Sequence, residues 1–94
     1  MIRSFSDRDT ERLYDRQRVK RFQAIEDACR KSLRLLSAAT SLNDLRTIPG
    51  NRLEKLPEFG PDTYSIRINE RYRVLFRWID GAAEDVKITD HYKP

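Results

Sequence analysis

The sequence is poor in the residues that staple small proteins together or bind metal ions. Its 94 residues include one cysteine, Cys29, and one histidine, His91. A single cysteine excludes an internal disulfide, and these two residues together exclude the usual Cys/His zinc site. No apolar run approaches the roughly 20 residues that span a bilayer, and the start of the chain lacks the apolar region of a signal peptide. We therefore expect no metal, no cofactor, no membrane contact and a cytoplasmic location.

The composition is polar but typical of a folded chain, with 38% hydrophobic and 36% charged residues. A chain of this length has room for one core, so we expect a single domain over residues 1–94. The formal net charge of +4 favours anionic partners such as nucleic acid.

The first half of the chain has helical periodicity. Apolar residues recur at steps of three and four between Val19 and Leu36, which predicts an amphipathic helix over residues 18–39 with Cys29 in its core. Residues 1–5 are a candidate strand, and residues 8–16 are at most a short surface helix. Ser41 is predicted to cap a short helix that runs through Leu45.

The second half has the period of two that is typical of strands. Residues 64–68, 73–78 and 86–89 are predicted strands, residues 52–56 a possible strand, and residues 57–62 a loop. Short loops between the strands favour hairpins. The fold class is therefore α+β, with N-terminal helices packed on a small antiparallel sheet.

Pairing apolar residues with one another predicts the register of this sheet. The predicted pairs are Ile68–Val74, Ile66–Phe76, Trp78–Val86 and Phe76–Ile88, with residues 70–72 as the first hairpin loop. The same register places Arg77 opposite Lys87. It also places Arg73 opposite His91.

The other face of the predicted sheet is cationic. It collects Arg67, Arg73, Arg77, Lys87 and His91. Like charges directly opposite each other destabilise a sheet, and a bound polyanion would relieve this repulsion. An ordinary solvated face, whose long cationic stems cover apolar area, remains an alternative. A second basic run, formed by Arg8, Arg12, Arg16, Arg18, Lys20 and Arg21, is either a phosphate-binding helix face or another solvated face.

The C-terminal residues have the chemistry for proton transfer. Histidine is the side chain whose unperturbed pKa lies near neutral pH, and Asp90 and Tyr92 can exchange protons beside His91. Together with the arginines of the cationic face, they would suit metal-free RNA cleavage. That reaction needs a base for the ribose 2′-hydroxyl, cations for the phosphorane and an acid for the leaving 5′-oxygen. A terminal histidine can equally be an ordinary surface residue.

Several stretches resemble the HigB-type toxins of the RelE/ParE superfamily. The matching stretches are residues 1–5, 42–46, 49–54, 64–78 and 84–90, in the family's order over nearly the whole chain. The most specific block is Ser65-Ile66-Arg67-Ile68-Asn69, followed by Tyr72-Arg73 and by Phe76 and Trp78.

The resemblance implies a ribosome-dependent endoribonuclease that cuts mRNA in the 30S decoding site. It also implies a HigA-like helix-turn-helix antitoxin, through which alone the toxin would reach operator DNA. Arg73 matches the family's arginine near the scissile phosphate, and Asp90 matches the acidic residue that ends the last strand. Glu54 stands where some members have a histidine, and it is a candidate base. The candidate catalytic residues are Arg73, Asp90, His91, Tyr92 and Glu54, and the candidate RNA-binding residues are Arg67, Arg77, Lys87 and Lys93.

The sequence departs from the family pattern in two further places. It reads Asp90-His91-Tyr92 where the family commonly has Asp-Tyr-His. Residues 57–63 replace a Gly-Asp-Arg-x-Gly-like loop before the first long strand.

Two other functions are compatible with these residues. A ParE-like toxin would inhibit gyrase by binding alone, so substitution of His91 and Tyr92 would leave it toxic. A plain interaction module would bind an acidic protein surface, and its expression would neither arrest growth nor cleave RNA.

Overall fold

The computed structural model describes residues 1–90, which fold as helices followed by an antiparallel sheet. The helices are α1 (Arg8–Tyr14), α2 (Glu26–Ala38) and α3 (Leu42–Arg46), with 3₁₀ turns at Lys20–Ile25 and Pro57–Phe59. The strands are β1 (Glu54–Lys55), β2 (Thr63–Arg67), β3 (Arg73–Ile79) and β4 (Ala82–Thr89). They pair in the order β1-β2-β3-β4, each antiparallel to the next. The predicted α+β class is confirmed.

The N-terminal segment runs parallel to β4 along its outer edge. Isolated bridges join Ile2 to Ala83 and Phe5 to Val86. The Arg3 amide donates to the Ala83 carbonyl at 2.8 Å, and the first residues thereby occupy backbone groups that an edge strand would leave open. The candidate strand at residues 1–5 is therefore present only as two isolated bridges and not as a regular strand.

The prediction of one continuous helix over residues 18–39 is wrong. A 3₁₀ segment ends at Ile25, whose φ of −124° and ψ of 18° lie outside the helical region, and α2 begins at the next residue. Contacts with distant residues hold the 3₁₀ segment in place. Arg21 lies 3.1 Å from Asp7 and 2.9 Å from Asp9, and the Phe22 ring packs edge-on against Tyr72. Apolar spacing cannot distinguish the two helix types over so few turns.

The two short helices are capped by side chains. Asp7 Oδ1 accepts the Thr10 amide at 2.7 Å at the start of α1, which buries Thr10 and Leu13 completely. The helix is therefore more than the surface element that its charges indicate. Ser41 caps α3 as predicted and forms a capping box with Asp44.

The register of β2 and β3 differs from the prediction by two residues. Val74 lies opposite Ile66, not Ile68, and Phe76 lies opposite Tyr64. The loop is longer than predicted because Asn69 Oδ1 accepts the amides of residues 71 and 72, at 2.8 and 2.7 Å. A shift of two keeps every side chain on its predicted face.

The register of β3 and β4 was also predicted wrongly. Ile79 lies opposite Ala82, because Asp80 (φ 50°) and Gly81 (φ 78°) form a tight turn with two left-handed residues. Pairing therefore starts earlier than predicted. A bulge at Asp85, where φ is 53°, then offsets the strand by one residue.

The core lies between the helices and one face of the sheet. Its buried residues are Leu13, Val19, Phe22, Cys29, Leu33, Leu36, Ala39, Leu45, Ile66, Val74, Phe76, Ala83, Val86 and Ile88. Cys29 is a core residue as predicted, and burial raises the pKa of its thiol to about 12. Within residues 1–90, none of the helices has the length and apolar character needed to cross a membrane.

Candidate functional site

The sheet face that points away from the helices carries the predicted cationic residues. We call it the open face. It is formed by Glu54, Thr63, Ser65, Arg67, Arg73, Leu75, Arg77, Glu84, Lys87 and Thr89, whose shared orientation follows from the observed cross-strand pairs. The predicted grouping of Arg67, Arg73, Arg77 and Lys87 on one face is therefore confirmed.

Arg73 is the most firmly held cation of the open face. Its side chain is only 9% exposed, and it crosses β2 towards β1. Nε donates to Ser65 Oγ at 2.8 Å, and Nη2 donates to the Arg52 carbonyl at 2.6 Å. These bonds fix the plane of the guanidinium.

The loop before β1, which contains the Arg52 carbonyl, is anchored to the rest of the fold. Asn51 is buried, and its Nδ2 donates to the Leu45 carbonyl at 3.1 Å. Its own carbonyl accepts the Arg67 amide at 2.6 Å. The Arg52 carbonyl therefore belongs to a loop that is tied both to α3 and to β2.

Glu54 forms an ion pair with the Arg73 guanidinium. Its Oε1 lies 3.8 Å from Arg73 Nη2, and its side chain is 43% exposed. The Cα of Glu54 is paired with that of Ser65, the residue that accepts the Arg73 Nε bond. An exposed carboxylate beside a fixed cation can accept a proton from a bound hydroxyl.

Arg67 and Arg73 are directly opposite each other on β2 and β3. Their guanidinium groups make different hydrogen bonds, because Arg67 Nε donates to the Asn69 carbonyl at 3.2 Å. The side chains therefore diverge, which reduces the repulsion that two opposed like charges would otherwise produce.

The predicted pairing of Arg77 with Lys87 is wrong. Lys87 lies opposite Leu75, and Arg77 lies opposite Glu84 with its Nη1 3.5 Å from Asp85 Oδ2. The tight turn and the bulge of the second hairpin cause this change, because they shift acidic residues beside Arg77. Arg77 therefore has acidic neighbours in place of the predicted lysine.

Asp90 follows β4 and is held by a residue that the sequence analysis did not select. Arg71 Nη2 and Nε donate to Asp90 Oδ2 at 2.9 and 3.3 Å. The Arg71 guanidinium also lies 5.1 Å from the centre of the Tyr72 ring. The predicted pairing of Arg73 with His91 is wrong, because Thr89 occupies that position.

The other predicted C-terminal site residues lie outside the described residues. These are His91, Tyr92 and Lys93. Residues 1–90 contain no group of three or more His, Cys, Asp or Glu side chains that could bind a metal ion.

The chain matches a known protein family over nearly its whole length. The family model of the HigB-like toxin, described as a RelE-like toxin of the type II toxin-antitoxin system HigB, matches residues 3–91. The chain belongs to the HigB-like toxins. It is thus a toxin of a type II toxin–antitoxin system, and its partner is an antitoxin.

The relatives of this HigB-like toxin include a named toxin and an uncharacterized protein. Toxin HigB-1 of Vibrio cholerae is 37% identical over 93 residues, which cover 97% of this chain and 98% of the relative. An uncharacterized protein of Haemophilus influenzae is 33% identical over 61 residues, covering 65% of this chain and 60% of that protein. The first match extends the family assignment to almost the full chain.

Ser65, Arg52 and Arg71 are the site residues that sequence reasoning missed. Alternation along β2 does place Ser65 on the same face as Arg67, and that was the available signal. The bonds from Arg73 to the Arg52 carbonyl and from Arg71 to Asp90 join residues 21 and 19 positions apart. Neither bond has a local pattern in the sequence.

Proposed function

We propose that this HigB-like toxin is an endoribonuclease that cleaves mRNA on the ribosome at the open face around Arg73. The observation that carries the proposal is the setting of Arg73. Its guanidinium is oriented by Ser65 Oγ and the Arg52 carbonyl, 3.8 Å from the exposed carboxylate of Glu54. A cation fixed before the substrate arrives stabilises developing phosphorane charge without reorganisation.

The proposed reaction uses the neighbouring ribose hydroxyl as nucleophile. Glu54 accepts the 2′-hydroxyl proton, and the 2′-oxygen attacks the adjacent phosphorus. The bond from phosphorus to the 5′-oxygen of the next nucleotide breaks, which leaves a 2′,3′-cyclic phosphate and a 5′-hydroxyl. Arg73 stabilises the phosphorane. None of these steps requires a metal ion.

The remaining roles are assigned to the end of the chain. His91 and Tyr92 are the proposed sources of the proton for the leaving 5′-oxygen, because both side chains can donate one. Asp90 is the proposed positioning residue for them, since Arg71 already fixes its carboxylate.

The other cations of the open face are the proposed contacts to the RNA backbone. Arg67 and Lys87 serve this role beside the reacting phosphate, and Lys93 extends it beyond the described residues. Arg77 contributes less, because Asp85 lies 3.5 Å from its guanidinium.

Dependence on the ribosome is part of this proposal. Arg73 and Glu54 lie on the open face of the sheet, where the Glu54 side chain is 43% exposed. Alignment of the reacting groups supplies much of the rate of such reactions, and an exposed sheet face offers a flexible RNA little alignment. The ribosome would hold mRNA in place, so we expect free RNA to be a poor substrate. Action there also implies a cytoplasmic location.

Neutralisation is proposed to occur through a HigA-like helix-turn-helix antitoxin. The family resemblance supports this partner, and the net charge of +4 suits binding to an acidic surface. Operator DNA would then be contacted through the antitoxin alone.

The test compares wild type with Glu54→Gln and with Glu58→Gln after induced expression. Glu58 is an exposed glutamate of the nearby 3₁₀ turn, whereas Glu54 lies 3.8 Å from Arg73. We expect wild type and Glu58→Gln to arrest growth and to produce new mRNA 5′-hydroxyl ends inside translated codons. Glu54→Gln should lose both effects by about 100-fold or more, the usual contribution of a general base.

Other outcomes would identify a different function. Growth arrest without new mRNA ends would contradict the nuclease proposal and favour a bound target such as gyrase. If Glu54→Gln cleaved mRNA as well as the wild type, Glu54 would be excluded as the base. Neither arrest nor cleavage by the wild type would favour a protein-interaction module.

A further inference from the structure

The exposed side of the helical layer carries a second group of cations, separate from the open face. Arg16, Arg30 and Arg34 line an open cleft of about 300 Å³ together with Tyr14. A second cleft of about 340 Å³ is lined by Arg18, Val19, Lys20, Gln23 and Glu26. We call the five basic residues of these clefts the helical cationic surface. The two clefts are neighbours, because Glu26 of the second lies 3.3 Å from Arg30 of the first.

Arg30 forms a fixed wall of the first cleft. Its Nε donates to the Leu13 carbonyl at 3.1 Å, and its Nη2 donates to the Gln17 carbonyl at 3.1 Å. These bonds join α2 to the end of α1. Arg30 thus has a structural role, because it fixes this side of the cleft.

Arg16 and Arg34 are exposed and have no such role. Within residues 1–90, neither guanidinium takes part in an ion pair or a hydrogen bond. Glu26, which lines the neighbouring cleft, is already paired with Arg30. Within residues 1–90, the first cleft therefore offers an anion two guanidinium groups that have no ion-pair partner.

The backbone at Arg16 shows that this arginine can be replaced without loss of stability. Residue 16 follows α1 in a left-handed conformation with φ of 64°. The bonds from its amide to Leu13 and from the Gln17 amide to Arg12 form a Schellman motif. Glycine or asparagine suits this position best, so an arginine there costs stability.

We propose that the helical cationic surface binds phosphate groups of structured RNA. Guanidinium groups match phosphate oxygens in geometry, and two cationic clefts side by side suit an anion that repeats along a backbone. The clefts contain few apolar side chains, Tyr14 and Val19, whereas protein interfaces usually have an apolar centre. Phosphate of RNA is therefore favoured over an acidic protein segment.

This surface lies on the other side of the molecule from Arg73. The buried stripe of α2, with Cys29, Leu33 and Leu36, packs against the core face of the sheet. The exposed side of α2 therefore points away from the open face. RNA bound there is not the strand that would be cleaved, and binding at this surface does not require that the chain cleaves RNA.

The test measures binding of an RNA hairpin that is 2′-O-methylated throughout and cannot react by 2′-hydroxyl attack. Anisotropy titrations at several salt concentrations compare wild type, Arg16→Asn/Arg34→Gln and Arg8→Gln/Arg46→Gln. The last variant is the control, because it removes the same charge from two exposed positions outside these clefts. Each lost phosphate contact lowers the salt slope by about 0.7 to 0.9.

We expect the Arg16/Arg34 variant to lose affinity by about 30-fold at 0.1 M salt, with a salt slope lower by about 1.4 to 1.8. The control should lose much less. The thermal midpoint of the Arg16/Arg34 variant should equal or exceed that of wild type, because asparagine suits the left-handed position. Lower affinity with undiminished stability would exclude a structural explanation.

Three results would overturn the proposal. Wild-type affinity in the Arg16/Arg34 variant would exclude this surface. Equal losses in both variants would indicate only the effect of net charge. A loss of binding to a polyglutamate peptide, with hairpin binding unchanged, would assign the surface to an acidic protein. Failure of cleavage in cells changes none of these results, so the two proposals can fail separately.

Discussion

Replacement of Thr10 by valine removes one buried hydrogen bond while keeping the shape of the side chain. Thr10 is completely buried in α1, and its Oγ1 accepts the Ile88 amide of β4 at 3.0 Å. The N-terminal segment pairs with β4 only as far as Val86, where Ser6 donates to the Val86 carbonyl. Thr10 therefore completes the hydrogen bonding of this strand edge next to the end of β4.

The expected loss of stability in Thr10→Val follows from the Ile88 amide, which remains buried. Valine cannot accept a hydrogen bond, so the Ile88 amide becomes a buried donor without an acceptor. Such a donor costs about 1–3 kcal/mol. Thr10→Ser is the matched control, because it keeps the oxygen and loses one methyl group, worth about 0.8 kcal/mol. For a domain of this size, 2 kcal/mol lowers the melting temperature by roughly 8–16 °C.

Urea unfolding followed by Trp78 fluorescence measures this difference. We expect Thr10→Val to have the lowest midpoint with an unchanged m-value. Hydrogen exchange at the Ile88 amide should also be faster in Thr10→Val than in Thr10→Ser. If Thr10→Val were as stable as Thr10→Ser and kept the same exchange rate at Ile88, the reasoning from the buried amide would be refuted.

Three further predictions concern single contacts. Ser65→Ala removes the acceptor of the Arg73 Nε hydrogen bond. We expect the free energy of unfolding, measured by urea titration, to fall by about 1–3 kcal/mol, and mRNA cleavage to fall as well. If Ser65→Ala cleaved mRNA as well as the wild type, a positioning role for Ser65 would be excluded. Hydrogen bonds from Thr40 lower the pKa of Asp44 in the folded protein below its ordinary value of 3.8. The ionised Asp44 carboxylate therefore stabilises the fold above pH 3.8, and this stabilisation is lost as the pH falls through the pKa of the folded protein. The stability difference between wild type and Asp44→Asn should narrow over that acid range in unfolding curves. Because burial raises the pKa of Cys29 to about 12, iodoacetamide at pH 8 should label it slowly in the native protein and rapidly in urea, as mass spectrometry would detect.

Most of the elements could be predicted because their causes are local. The Ser41 cap depends on a side chain and a backbone amide three residues away. The strands after residue 63 follow from alternation, which also places Arg67 and Arg73 on the same face. The split of the main helix at Ile25 was not predictable in this way, because the contacts of Arg21 and Phe22 with distant residues hold the 3₁₀ segment.

The two register errors have different physical causes. In the first hairpin, the Asn69 side chain takes two backbone amides and lengthens the loop. In the second, left-handed Asp80 and Gly81 start the pairing early, and the bulge at Asp85 compensates. A two-residue shift leaves the faces intact. The bulge moves charges relative to one another, so the predicted repulsion at Arg77 became an attraction to Asp85.

The sequence by itself determined the fold class, the core face, the basic open face and the resemblance to the HigB-like toxins. These depend on periodicity and residue type, which are written along the chain. Only the tertiary structure decided which group each charge contacts: Arg73 with Ser65 and the Arg52 carbonyl, and Asp90 with Arg71. Such contacts join residues far apart in sequence, and a hydrogen bond requires its two atoms to lie within about 3 Å. That precision comes from the packing of the whole chain.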